Sequence, residues 1–129
     1  MKRWLENKGV PTNTAYFADA RGLSRKNKIT TRLVVLFLDK MRYFYDFKAY
    51  KSTLSITGVR GTLAKRFVNS ELSGKFFGKT GTLSNVFALS GFLYKNERPI
   101  IISIIQNSNI IDKEKAFKVL RDLYYLKSC

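Results

Sequence analysis

"GKFFGKTGTLSNVFALSGFLY", Gly74 to Tyr94, sets an ammonium, a hydroxyl, a glycine and a second hydroxyl in one row: Lys79, Thr80, Gly81, Thr82. Phe76 and Phe77 precede the row in the first extended run, Phe76–Lys79. Val86–Lys95 follows as a second, so the stretch reads as two strands returning antiparallel beside each other. A tight "KNER" connection leads to a third run, Pro99–Gln106, "PIIISIIQ". Its nearly unbroken isoleucines predict a strand covered on both faces. The segment after it, "DKEKAFKVLRDLYYLK", opens on Asp112 as a cap and brings Phe117, Leu120, Leu123 and Tyr124 to one side, which predicts a helix packed on the sheet.

Working back toward the start, Gly58 and Gly61 read as a turn region leading into a short helix around residues 63–67. Thr30 or Thr31 caps a helix, "TTRLVVLFLDKMRYF", in which Leu33, Val34, Phe37, Leu38, Met41 and Phe44 recur at helical spacing and form an apolar stripe. Residues 15–19, "AYFAD", form a brief strand candidate. Trp4 and Leu5 belong to a helical turn that Gly9 and Pro11 end. The order is helix, loop, helix, loop, about three antiparallel strands, helix. The fold class is therefore α+β, an antiparallel sheet packed by helices that include the C-terminal one.

The 129 residues suffice for one domain or a piece of one, and a hydrophobic fraction of 45% is that of a folding chain. Twenty-four Lys and Arg against nine Asp and Glu give a formal charge of +15, which favours anionic partners without selecting one. The cations are spread along the whole length, so no basic arm stands out, and nucleic acid is not expected as a partner. With no histidine, Ser-His-Asp and Cys-His catalysis and histidine metal sites are excluded from this chain. The single cysteine, Cys129, allows neither an internal disulfide nor a cysteine metal cluster, and no cofactor is implied. Met1–Pro11 lacks the apolar core of a signal peptide, and no run approaches the ~20 apolar residues of a membrane span.

The row itself suits an extended peptide with a free carboxylate. Lys79 and the hydroxyls of Thr80 and Thr82 supply donors to an anion. Gly81, without a side chain, lets a ligand backbone lie along the strand edge. The main-chain N–H of Thr82 can point at a developing oxyanion. Lys-Thr-Gly also occurs in the serine penicillin-binding proteins and β-lactamases, beside Ser-x-x-Lys and a Ser-x-Asn. That is the one serine mechanism open to a chain without histidine.

Three blocks in order, "DARGLSRKNKIT" (Asp19 to Thr30), "LSITGVRGTLAKRF" (Leu54 to Phe67) and "GKTGTLSNVFALSGFL" (Gly78 to Leu93), resemble the C-terminal part of the serine D-alanyl-D-alanine carboxypeptidase/endopeptidase family, the low-molecular-mass penicillin-binding proteins. The resemblance implies the C-terminal part of a penicillin-binding/β-lactamase-like transpeptidase domain. It implies a hydrolase of peptidoglycan stem peptides that β-lactams acylate, placed in the periplasm or otherwise outside the cytoplasmic membrane. It also implies that Lys79, Thr80, Gly81 and Thr82 form the carboxylate-binding strand, that Arg25 helps to hold a carboxylate on the substrate's side chain, and that Ser84 lines that pocket. Three positions depart from the family's pattern: Arg21 replaces a small residue, Arg60 an acid and Ser55 a proline.

No serine in the 129 residues has a lysine three positions on, and there is no Ser-x-Asn. In the family both motifs lie upstream of the block ending at Arg25. Residues 1–129 are therefore expected to be a partial catalytic domain lacking the N-terminal nucleophile segment, with no catalytic residue of their own, inactive alone, and having that missing fragment as a possible partner. Two other readings remain at this point: a non-catalytic muropeptide-binding module that keeps the Lys79 strand, and a basic nucleic-acid-binding protein resting on charge alone.

Overall fold

The computed structural model describes residues 2–17 and 28–126. The chain forms two compact units, Met1–Phe47 and Lys48–Cys129.

In the first unit, α1 (Lys2–Asn7) ends where Gly9 takes a positive φ of 77°. α2 (Thr31–Met41) begins where the Thr30 side chain accepts the Leu33 N–H at 3.1 Å, satisfying one of the N–H groups a helix start leaves open. Of the apolar stripe, Leu33, Leu38 and Met41 are buried, while Val34, Phe37 and Phe44 are half-buried. Leu5, Val10, Ala15 and Leu33 form a small core. Of the strand expected at residues 15–19, the described part shows one antiparallel bridge, Tyr16 to Lys28, and residues 18 and 19 lie outside the described residues.

The second unit is built on a four-stranded antiparallel sheet, β1 (Ser55–Ile56), β2 (Phe76–Leu83), β3 (Val86–Lys95) and β4 (Arg98–Asn107), in that order. The two-residue strand β1 is an addition to the three runs legible in sequence. A short helix, α3 (Phe47–Ser52), also precedes it, and the helix expected around residues 63–67 is a 3-10 turn, Gly61–Leu63. β2 and β3 form a hairpin with Ser84 and Asn85 as its two-residue turn, and the register sets Gly78 opposite Gly91 and Thr80 opposite Leu89. α4 (Lys113–Tyr125) starts at Asp112, whose carboxylate accepts the Glu114 N–H at 3.1 Å.

Alternation along the strands sends Phe76, Phe87, Leu89, Leu93 and Ile102 to one face, where they meet Ala116, Phe117 and Leu120 of α4 together with Leu63 and Leu72. This is the main core. Each fully buried Leu or Phe contributes roughly 1.5–3 kcal/mol relative to exposure. The expectation that β4 is covered on both faces is corrected. Only Ile102 is buried, Ile100 is 37% exposed, and the remaining isoleucines are half-buried. β4 is an edge strand with α4 over one side, so its isoleucines answer to strand propensity as much as to burial.

Candidate functional site

β2 carries the row Lys79-Thr80-Gly81-Thr82 as regular strand, and its backbone directions follow from the hydrogen bonds at its start. The Tyr94 N–H donates to the Lys75 carbonyl at 2.8 Å, so residue 75 faces β3 with its main-chain groups. Phe76 faces the other way: its carbonyl accepts from Thr57 N at 3.1 Å, and its N–H donates to the Thr57 hydroxyl at 3.2 Å. In an antiparallel ladder these directions alternate residue by residue. Gly78, Thr80 and Thr82 therefore present their N–H and C=O groups to the side of β2 away from β3.

That side is open beyond Gly78. β1 pairs only with Phe77 and Gly78, so from Lys79 to Leu83 no strand among the described residues occupies it. Gly81 and Thr82 are exposed, Thr80 is half-buried, and Lys79 is exposed with its ammonium donating to the Thr80 carbonyl at 2.5 Å. An outward-facing carbonyl thus already holds a donor, which is the kind of contact an added peptide strand makes.

The glycines of the hairpin differ in what they are for. A Cβ at Gly91 would collide with the Phe77 carbonyl oxygen and lie 2.5 Å from the Gly78 Cα. At Gly78 it would meet the Phe76 ring at 2.5 Å and the Ser90 carbonyl at 2.6 Å. These two permit the close β2–β3 approach. At Gly81 the nearest atom is the Ala88 Cβ at 3.8 Å, an ordinary contact, and φ is not positive. Nothing among the described residues requires glycine there.

Behind the row stands a chain of hydroxyls that sequence reading missed. Thr62 Oγ1 lies 2.9 Å from Thr80 Oγ1 and 3.3 Å from Ser55 Oγ, and the Thr62 N–H donates to Ser55 Oγ at 3.1 Å. The turn holding Thr62 needs Gly58 and Gly61 at φ 70° and 71°. A Cβ at either would strike the serine facing it, Ser73 or Ser55. Arg60, one of the departures from the family pattern, donates from Nε to the Leu54 carbonyl at 3.1 Å and from a terminal nitrogen to the Ser52 carbonyl at 2.6 Å. It closes this turn with its own side chain. The paired glycines were the only sequence signal for this support.

On the opposite face from Thr80, the Lys51 ammonium sits 4.3 Å from the Phe77 ring and 4.1 Å from the Tyr94 ring, tying α3 to the start of β2. Ser84 is exposed in the hairpin turn, next to the row in sequence. Arg25 lies outside the described residues.

Comparison with known proteins decides the relationship. The model of the D-Ala-D-Ala carboxypeptidase 3 (S13) family matches residues 1–123. The chain belongs to that family. Among S13 carboxypeptidases and their kin, penicillin-sensitive carboxypeptidase A of Dictyostelium discoideum is 30% identical over 136 residues, covering 92% of this chain and 26% of the relative. The D-alanyl-D-alanine carboxypeptidase of Actinomadura sp. (strain R39) is 34% identical over 110 residues, covering 81% and 20% respectively. Penicillin binding protein 4 (dacB) from Haemophilus influenzae has the same fold at a TM-score of 0.82 and 24% identity, over 97% of this chain and 31% of that one. The same protein has been solved complexed with a β-lactam. The chain thus spans about a quarter of the length of the first of these relatives, and its sheet and helices correspond to part of the penicillin binding protein 4 fold. No helix among the described residues is long and apolar enough to cross a membrane.

Proposed function

We propose that this chain supplies the substrate-carboxylate strand of a serine-type D-Ala-D-Ala carboxypeptidase/endopeptidase acting on peptidoglycan peptides outside the cytoplasmic membrane. The observation that carries the reading is the open edge of β2. Thr80 and Thr82 turn their main-chain groups outward, Gly81 is bare without internal cause, and a lysine stands at the head of the row. A peptide ending in D-Ala-D-Ala would lie along this edge as an added strand, its terminal carboxylate near Lys79 and the threonine hydroxyls. Thr82 N–H would donate to the carbonyl oxygen of the bond being cut as negative charge develops there. Thr62 would hold the Thr80 hydroxyl through their 2.9 Å contact. Arg25 and Ser84 are assigned to the substrate's side chain by family likeness.

The attacking serine and its lysine are proposed to come from polypeptide outside these 129 residues, which contain neither Ser-x-x-Lys nor Ser-x-Asn. Residues 1–129 alone therefore perform no acyl transfer, because removing the nucleophile of such a site costs several orders of magnitude in rate. Fluorescent penicillin tests the division of labour. The isolated chain should stay unlabelled. Joined to a family segment that bears both motifs, it should label, and Lys79→Ala should lower the labelling rate by about 100-fold, the order for losing one preorganised donor. Labelling of the isolated chain, or full labelling of the joined Lys79→Ala protein, would refute the assignment.

A further inference from the structure

A groove of about 400 Å³ runs between the Lys65–Phe67 segment and α4. Four cations line it, Lys65, Arg66, Lys118 and Arg121, with one carboxylate, Glu114. None of them belongs to the Lys79 row or to its hydroxyl support. The rings of Phe67 and Phe117 also line the groove, edge to face at 6.2 Å.

Arg66 is the fixed point. Its guanidinium carbon lies 4.0 Å from the Phe117 ring centroid, and Nη1 is 2.5 Å from Glu114 Oε1. Stacking and pairing together hold the planar fork in place before any ligand arrives, so little rotamer freedom is left to lose on binding. The backbone beside it is unusual: Phe67 and Asn69 have φ of 59° and 61°. A bulky residue in the left-handed region costs of order 1–3 kcal/mol and persists only where the surroundings impose it. Here that turn presents Arg66 and Phe67 to one hollow.

Glu114 shows that an oxyanion already sits against Arg66, and it leaves charge over. Asp122 takes part of the rest, 3.0 Å from the Lys118 ammonium and 4.0 Å from Arg121 Nε. Four cations against these two carboxylates leave a surplus of two positive charges at the groove. A dianion neutralises that surplus, whereas a single carboxylate would leave half of it. We propose that this groove binds a phosphate group, as a phosphomonoester or diphosphate, with Arg66 and Arg121 as forked donors and the two lysines as point charges. The site stands or falls independently of the peptide-binding role of β2.

The test is a titration of the 129-residue chain with inorganic pyrophosphate at about 50 mM salt, where screening still allows surface electrostatics to be read. Backbone amide shifts are followed by NMR. Saturable shifts confined to residues 65–67 and 114–121 are expected. Lys65→Glu with Arg121→Glu should weaken the midpoint by about tenfold, the order for reversing two exposed cations near an anion. Lys48→Glu with Lys75→Glu makes the same change of net charge away from the groove and should weaken it by no more than about twofold. Should the first pair disturb folding by circular dichroism, Lys65→Gln with Arg121→Gln replaces it, with Lys48→Gln and Lys75→Gln as its control. Equal weakening by both pairs, shifts spread over the whole surface, or no saturation would overturn the proposal. Vesicles containing phosphatidic acid, whose headgroup is a phosphomonoester, form a second arm. Capture lost in the groove variant identifies a lipid headgroup as the source, and pyrophosphate binding without capture identifies a soluble phosphate.

Discussion

Replacing Gly81 by alanine separates the two reasons for which a strand carries glycine. Where the backbone conformation suits an L residue and space exists, glycine to alanine stabilises by about 0.4–1 kcal/mol, chiefly by reducing the freedom of the unfolded chain. Gly81 meets both conditions, since its added Cβ would find only the Ala88 Cβ, at 3.8 Å. Gly91 fails the second, its added methyl running into the Phe77 carbonyl and the Gly78 Cα. Forcing β2 and β3 apart there should cost at least the ~1–3 kcal/mol of an overpacked core. Urea denaturation followed by circular dichroism should therefore move the two midpoints in opposite directions. In a titration with a peptide ending in D-Ala-D-Ala, Gly81→Ala should weaken binding by about tenfold, or roughly 1.4 kcal/mol, because the methyl crowds ligand side chains that pack over the bare face of β2 at this residue. The reasoning is refuted if Gly81→Ala lowers stability by as much as Gly91→Ala does, which would make Gly81 a packing residue, or if it leaves peptide affinity unchanged.

Three further outcomes follow from the second unit. Thr57 is fully buried, its hydroxyl donating to the Leu72 carbonyl at 2.7 Å and accepting from Phe76 N. Thr57→Val keeps the volume but strands both groups, so a loss of about 2–4 kcal/mol is expected in equilibrium unfolding, and a loss below half that would contradict it. Leu120, fully buried in the main core, should cost about 2–5 kcal/mol as Leu120→Ala. A shift no larger than that of an exposed α4 substitution such as Val119→Ala would place the core elsewhere. Burial raises the Tyr50 phenol above its ordinary value of 10.0. The folded state then holds its proton longer than the unfolded state does, so the contribution is complete below pH about 10 and is lost as pH climbs through the folded value. Stability of the wild type should fall more steeply than that of Tyr50→Phe across that alkaline window, and parallel curves would count against the burial of the phenol.

Where the sequence spoke clearly, a local cause was at work. α2 and α4 were readable because Thr30 and Asp112 are caps whose partners lie within three residues, and because the stripes they precede repeat at the helical period. The β2–β3 hairpin was readable from the two extended runs, Phe76–Lys79 and Val86–Lys95, whereas the extension of β2 to Leu83 and the two-residue turn emerged only in the structure. By contrast, α3 and β1 are too short for any period to show. The Ile-rich run misled about covering because strand propensity and burial favour the same side chains.

The Lys79 row was visible as a motif, and three ordered blocks carried the family. What that row can do was decided in three dimensions. Only the register sets Gly78 against Gly91 and leaves Gly81 without an internal reason to be glycine. Only the ladder's alternation, anchored at Phe76 by Thr57 nineteen residues upstream, turns the main-chain groups of Thr80 and Thr82 toward the open side. The Thr62–Thr80 contact and the Arg66–Glu114 pair join residues 18 and 48 positions apart. A sequence fixes caps, periods and turns because those interactions reach only a few residues along the chain. Which strand edge stays free, and which distant hydroxyl or carboxylate meets a given side chain, depends on contacts that exist only once the sheet has assembled.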